Sequence, residues 1–195
     1  MDAEKALKTL LSDPKTFLNK YTLRIAGHPT VSGIQQYFIA PKSGFQGSFD
    51  IACSSGAVGK KSFMAWSVLM VHYNQVNTAD LRPLLVSSSG GPDIMVTGLI
   101  NGCTFCTLKT PNGVAMAHVK PSGIDAVRLH TMLSTQGRFH GIPNPFQTFG
   151  QASDYTATED ATVVGIRRGG IWKVYVQIHT RTQAPILRVA RIFKG

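Results

Sequence analysis

The sequence predicts an α+β chain: a β-sandwich of antiparallel or mixed sheets, with helix at the N-terminus and one inserted helix near residues 123–136. Three observations carry that expectation. Nineteen glycines and ten prolines are spread along 195 residues, which implies many turns and therefore many short strands. From Gln35 onward the apolar residues recur with a period of two. Helical spacing is confined to residues 3–20 and to the 123–136 stretch.

In chain order, Ala3, Ala6, Leu7, Leu10 and Leu11 fall on one face of a helix over 3–12. Asp13-Pro14 then reads as an N-cap with proline at the first helical position, opening a second helix to about Lys20. "QQYFIA", "SFDIAC", "SFMAWSVLMVHY" and "LRPLLVSSS" read as strands bounded by Gly, Pro, Asn and Ser clusters. Ser122 and Asp125, three apart, read as an acidic relative of the capping box opening the inserted helix, and Gly137 as its stop. In "GIWKVYVQIH", Trp172, Val174, Val176 and Ile178 alternate with Lys173, Tyr175 and Gln177, after a Gly169-Gly170 turn. No repeat or long linker divides the chain, so residues 1–195 form one domain, with 1–20 as a helical arm.

Hydrophobic residues make up 43% and charged residues 15%, a globular composition. The formal net charge of +10 favours acidic partners, either a protein surface or nucleic acid. The basic residues are dispersed, with "IRRGG" and "RVARIFKG" the densest groups, so nucleic acid would bind only non-specifically. No run approaches the ~18 apolar residues of a membrane span. "MDAEKALKTLL" lacks the apolar core of a signal peptide. The expectation is a chain that works in the cytosol or leaves by a route without a cleaved signal.

Chemistry concentrates in "VTGLINGCTFCTLKTPNGVAMAHV", Val96 to Val119, which holds two of three cysteines and one of six histidines. Cys103 and Cys106 have zinc-knuckle spacing, with Cys53 and His118 as conceivable further ligands. But Thr104-Phe105 favours extended chain over the tight turn a knuckle needs, and no second CxxC or HxxxH pair exists. A redox pair belongs at a helix N-terminus, whereas residues three apart on a strand point to opposite sides. Two buried small hydrophobes on a hairpin would be the bland alternative. A cysteine nucleophile needs an imidazole nearby and N–H donors for an oxyanion.

Thr110-Pro111-Asn112-Gly113 is a strong turn signal, so its flanking strands should pair. A loop from Lys109 to Asn112 would set Cys103 opposite His118; a Pro111–Gly113 loop with a bulge would set Cys106 there instead. Local chemistry favours Cys103. Gly102 lets the backbone approach a substrate closely, whereas Cys106 lies among apolar neighbours. On this reading Cys103 should be alkylated faster than Cys53 or Cys106.

"TGLINGC", followed by a histidine fifteen residues after the cysteine, resembles the catalytic stretch of the cytotoxic necrotizing factor family of glutamine deamidases. In that family an L-S-G-C motif supplies the nucleophile and a histidine on the next strand the base. Stand-alone members of the Burkholderia lethal factor type also place a threonine six residues before the cysteine, where this chain has Thr97. Chemotaxis receptor deamidases look similar over the same Thr…Gly-x-Cys…His order. Asn101 stands at the family's serine and Ile100 at its leucine.

The resemblance implies a bacterial effector that converts glutamine to glutamate on a host protein, with a Rho-type GTPase or a translation factor as the sort of target. It implies Cys103 as nucleophile, His118 as base and Thr97 as the group orienting the imidazole. No cofactor or metal is expected. His72, His130, His140 and His179 compete less well as bases, with His130 on the inserted helix and His179 at a strand end in solvent. The "SSSGGPD" loop lacks the Lys-Ser/Thr of a P-loop.

Overall fold

A computed structural model of the chain describes residues 1–27, 29–53, 59–73, 83–136, 147–181 and 185–195. Helix α1 spans Ala3–Ser12 and α2 spans Pro14–Lys20. Asp2 caps the first by accepting from Lys5 N–H, and Asp13 caps the second by accepting from Thr16 N–H. The apolar stripe read from the sequence is the stripe that packs. Leu10, Phe17 and Leu18 have no exposed surface, and each such burial stabilises by about 1.5–3 kcal/mol. Residues 1–20 therefore lie against a sheet as part of the first core.

That sheet has eight strands. Along its width they are β1 (Thr22–Ala26), β3 (Ser48–Ala52), β2 (Gly33–Pro41), β4 (Lys61–Val68), β7 (Ile94–Thr97), β11 (Glu159–Arg168), β12 (Ile171–Thr180) and β13 (Ile186–Lys194). It is mixed: β1–β3 and β4–β7 run parallel, and the other neighbours antiparallel. A second sheet orders β10 (Gln147–Phe149), β8 (Thr104–Thr110), β9 (Gly113–Lys120) and β5 (Met70–His72), with β6 (Leu84–Ser87) also paired to β9. The inserted helix, α3, spans Ala126–Gln136, three residues shorter at its start than the sequence suggests. Asp125 caps it by accepting from Arg128 N–H. Its expected stop, Gly137, lies outside the described residues.

Three apolar clusters make this a four-layer molecule. One fills the space between α1–α2 and the eight-stranded sheet. The second lies between the two sheets and includes Met95, Trp172, Val174 and Val176 from one, with Phe105, Val114 and Met116 from the other. The third, with Cys106, Ala117, Leu129 and Leu133, lies between the second sheet and α3. The α+β sandwich with its N-terminal and inserted helices is the architecture observed.

The segment "SFMAWSVLMVHY" is two strands and not one. After Val68 the chain leaves the eight-stranded sheet, and from Met70 it runs beside His118 in the second sheet. This crossing at Leu69 positions the site.

Candidate active site

Side-chain alternation settles which residues of the β8–β9 hairpin face which core. On β9, Val114 and Met116 point into the inter-sheet core, so His118, two residues on, points there too. On β7, Met95 faces the same core, so Thr97 does as well. The two meet across the sandwich: Thr97 Oγ1 and His118 Nδ1 are 2.8 Å apart. Both residues are fully buried.

The direction of that hydrogen bond follows from a third partner. Thr97 Oγ1 donates its one hydrogen to the carbonyl of Val68, at 2.8 Å. It can then only accept from the ring, so Nδ1 carries the imidazole proton. Nε2, also buried, is the basic nitrogen. Val68 pairs with Thr97 in the parallel β4–β7 ladder, and Met70 pairs with His118 in the β5–β9 ladder. The crossing at Leu69 thus delivers a carbonyl to the threonine and a flanking strand to the histidine. Val68 acts through its main chain, so no side-chain pattern in the sequence signals it.

Neither hairpin register derived from the sequence is the observed one. Thr110 pairs with Gly113, leaving Pro111–Asn112 as the loop, and His118 stands opposite Phe105. The physical reason lies in a neighbour. β6 pairs with β9, and a Cβ on Gly113 would lie 1.9 Å from the Val86 carbonyl oxygen. Gly113 is a residue of the strand, kept bare for close approach, and does not serve as the bulge of the turn.

The observed register still selects between the thiols. Cys103, just before β8, shares the inter-sheet core with Phe105, while Cys106 is buried on the opposite face beneath α3. Cys103 is therefore a diagonal neighbour of His118 on one face, a spacing of about 7–8 Å between backbones. Cys106 cannot reach that imidazole.

Gly102 has φ of +73°, the left-handed conformation for which glycine is favoured. Around it, a Cβ would come 3.6 Å from Gln151 Oε1 and 3.9 Å from the Ala126 side chain at the start of α3. The loop is anchored from both ends. Ile100 exchanges two backbone hydrogen bonds with Ala161, at 2.8 and 2.9 Å, and Tyr155 Oη donates to the Cys103 carbonyl at 2.7 Å. Tyr155 in turn stacks on Phe149, with ring centroids 5.4 Å apart. Sequence reasoning passed over Tyr155, because its contact with Cys103 joins residues 52 apart in the chain.

At rest the Cys103 thiol donates to the Asn101 carbonyl, with sulfur and oxygen 3.7 Å apart. Burial pushes its pKa up, against smaller lowering effects from the Asn101 backbone and from Lys120. Such a thiol keeps its proton near neutral pH and needs a base to lose it. Cys106 is pushed much further up by complete burial alone. Cys53 is exposed, so accessibility favours it as the first thiol alkylated, contrary to the expectation for Cys103.

The other histidines are placed as follows. His72 is exposed. His130, on α3, is buried, its Nε2 lying 4.0 Å from Asp154 Oδ2. His179 is buried and not in solvent, because β13 covers the strand end that carries it. His140 lies outside the described residues. The "SSSGGPD" loop turns its carbonyls onto a cation: Arg167 donates to Ser87 O, Gly90 O and Gly91 O at 2.5–2.9 Å and pairs with Asp93 at 2.8 Å. Among the described residues, no group of three His, Cys, Asp or Glu side chains is placed to hold a metal ion, and no helix is long and apolar enough to cross a membrane.

Cys103, His118 and Thr97 are thus brought together on one core face, and Cys53 and Cys106 are not. No protein-family model matches the chain, and no curated protein sequence matches it.

Proposed function

We propose that this chain is a cysteine-dependent protein glutamine deamidase, with Cys103 as nucleophile, His118 as general base and Thr97 as the residue that orients it. The observation that carries the reading is the Val68–Thr97–His118 chain of hydrogen bonds. It fixes the tautomer whose lone pair sits on Nε2, on the face that Cys103 shares.

His118 Nε2 takes the thiol proton as Sγ attacks the carboxamide carbon of glutamine. The carbonyl oxygen becomes an oxyanion, held by backbone N–H groups of the Gly102–Cys103 turn. Collapse of the tetrahedral intermediate expels ammonia, to which the imidazolium returns the proton. Water then attacks the thioester and loses its proton to His118. The carbon–sulfur bond breaks, and glutamate and the thiol are regenerated.

The raised thiol pKa favours this concerted use of a base over a pre-formed thiolate–imidazolium pair. No sequence motif marks a second pocket for an amine acceptor, so the proposed reaction is resolved by water. The net charge of +10 supports docking on an acidic protein surface. With the sequence resemblance, the proposal extends to a bacterial effector acting on a GTPase or translation factor of a host cytosol.

The test compares wild-type and Cys103→Ala protein on a host lysate, read by ammonia release and by tryptic mapping for glutamine-to-glutamate mass shifts. Deamidation of one or a few glutamines, absent with Cys103→Ala, is the expected result. Backbone cleavage, or shifts that persist in the variant, would end the reading.

A further inference from the structure

The loop that carries Cys103 is held by one cation that no step of the proposed chemistry uses. Arg181 Nη2 donates to Asn101 Oδ1 at 2.7 Å, and its Nε lies 3.6 Å from Asp160 Oδ1. The Asp160 side chain is only 7% exposed, while that of Arg181 is 51% exposed. Asp160 sits on β11, next to the Ala161 that bonds Ile100, and faces His179 across the β11–β12 ladder. A buried carboxylate at the root of the loop is thereby joined, through one guanidinium, to the residue two before the nucleophile.

We propose that Arg181 is a positioning residue for the Cys103 loop, acting through Asn101 and held in place by Asp160. The inference rests on the reading of Cys103 as nucleophile. Asn101 carries the carbonyl that accepts the resting thiol, so whatever fixes Asn101 fixes the direction in which Sγ waits. Its side chain reinforces this. Arginine can only donate, so the amide must present Oδ1 to it and turn Nδ2 away, which removes one rotational choice from an exposed residue. An arginine suits this post better than a lysine, because its planar guanidinium donates to Asn101 through Nη2 while Nε stays within ion-pair distance of Asp160. The asparagine that departs from the family's serine is accounted for on the same basis: its side-chain carbonyl extends far enough from the backbone to meet a cation just beyond the end of β12.

The experiment measures the rate at which 2-chloroacetamide, an electrophile bearing a carboxamide, alkylates Cys103 in the full chain. Cys53→Ser forms the background, and site-resolved mass spectrometry gives the readout. Arg181→Ala should slow Cys103 alkylation about tenfold or more, since small misplacement of a reacting atom is costly. Asn101→Ala should do the same, Arg181→Lys should recover part of the rate, and the Asn101→Ala/Arg181→Ala double variant should lose no more than either single one.

Unchanged rates in Arg181→Ala, or losses that multiply in the double variant, overturn the proposal. The melting temperature of each variant is measured alongside. A loss of rate that tracks a loss of stability, and that Arg181→Lys does not relieve, also counts against it. A wild-type rate that His118→Ala leaves unchanged would instead sink the thiol–imidazole reading, so the two failures are distinguishable.

Discussion

The eight-stranded sheet buries polar side chains on both faces, and the two groups behave differently. On the helix side, Gln177 Oε1 accepts from Leu23 N–H at 2.8 Å, while Nε2 donates to Leu18 O and Tyr21 O at 2.5 and 2.8 Å. Thr162 Oγ1 adds a bond to Leu23 O at 2.8 Å. Every partner is backbone, at the join between α2 and β1. On the other face, Thr97 makes one bond to backbone and gives its remaining capacity to a titratable ring. The first network is closed: each atom has a partner that cannot change protonation state. The second ends at an imidazole on the same face as a thiol, so one proton has two places to be. Buried polar groups are costly unless satisfied, and their satisfaction by backbone alone marks a structural role.

The largest expected effect breaks the open network. His118→Ala should lower the rate of ammonia release about 10²–10⁴-fold, the usual contribution of a general base. The fold should survive, because Thr97 keeps its bond to Val68, and circular dichroism checks this. Thr97→Ala should cost less, since the base remains present without its orienting partner. Full turnover in His118→Ala would put both faces in the structural class.

Gln177→Ala tests the closed network and should reverse the pattern. It strands one N–H and two carbonyls, at a cost on the order of 3 kcal/mol. For a chain of this size that lowers Tm by about 6–12 °C in thermal unfolding. Cys103 alkylation measured well below that Tm should be unchanged. A matched loss of thiol reactivity would mean that the two faces are coupled, and the division drawn here would fail.

Local features were legible in the sequence. The cap at Asp13, the helical stripe of α1 and the alternation of β12 depend on neighbours within a few residues. Cys103 and His118 were legible as neighbours through the hairpin's turn signal, and Thr97 only through the family resemblance. What failed was decided from a distance. The apolar run through Leu69 continues on both sides of the crossing, so nothing in its periodicity shows that it changes sheets. The hairpin register follows from the pressure of β6 on Gly113, and β6 lies more than twenty residues away. The burial of His179 depends on β13, and the hold on Asn101 comes from an arginine 80 residues on. Long-range pairing overrides turn chemistry because many ladder bonds outweigh one loop preference.

The smallest expected effect uses the two cysteines at the start of the hairpin, Cys103 just before β8 on the inter-sheet face and Cys106 within β8 beneath α3. Burial pushes both thiols up, so both stay protonated in the folded chain at a pH where the unfolded chain ionises them. In that window the unfolded state binds fewer protons, and stability falls as pH rises. The stability these thiols confer is therefore full below about pH 8.5, the ordinary thiol value, and is lost above it. The slope is at most about 1.4 kcal/mol per pH unit for each thiol, or about 3–6 °C in Tm. Cys103→Ser removes one of the two titrations and keeps a small polar side chain. Thermal unfolding from pH 7 to pH 10 should then show a shallower alkaline decline in the variant, while its Tm at pH 7 stays close to wild type. A steeper decline in Cys103→Ser would mean that the wild-type thiol is already ionised at neutral pH. That would replace the base-assisted thiol by a thiolate–imidazolium pair and make His118 an acid from the first step.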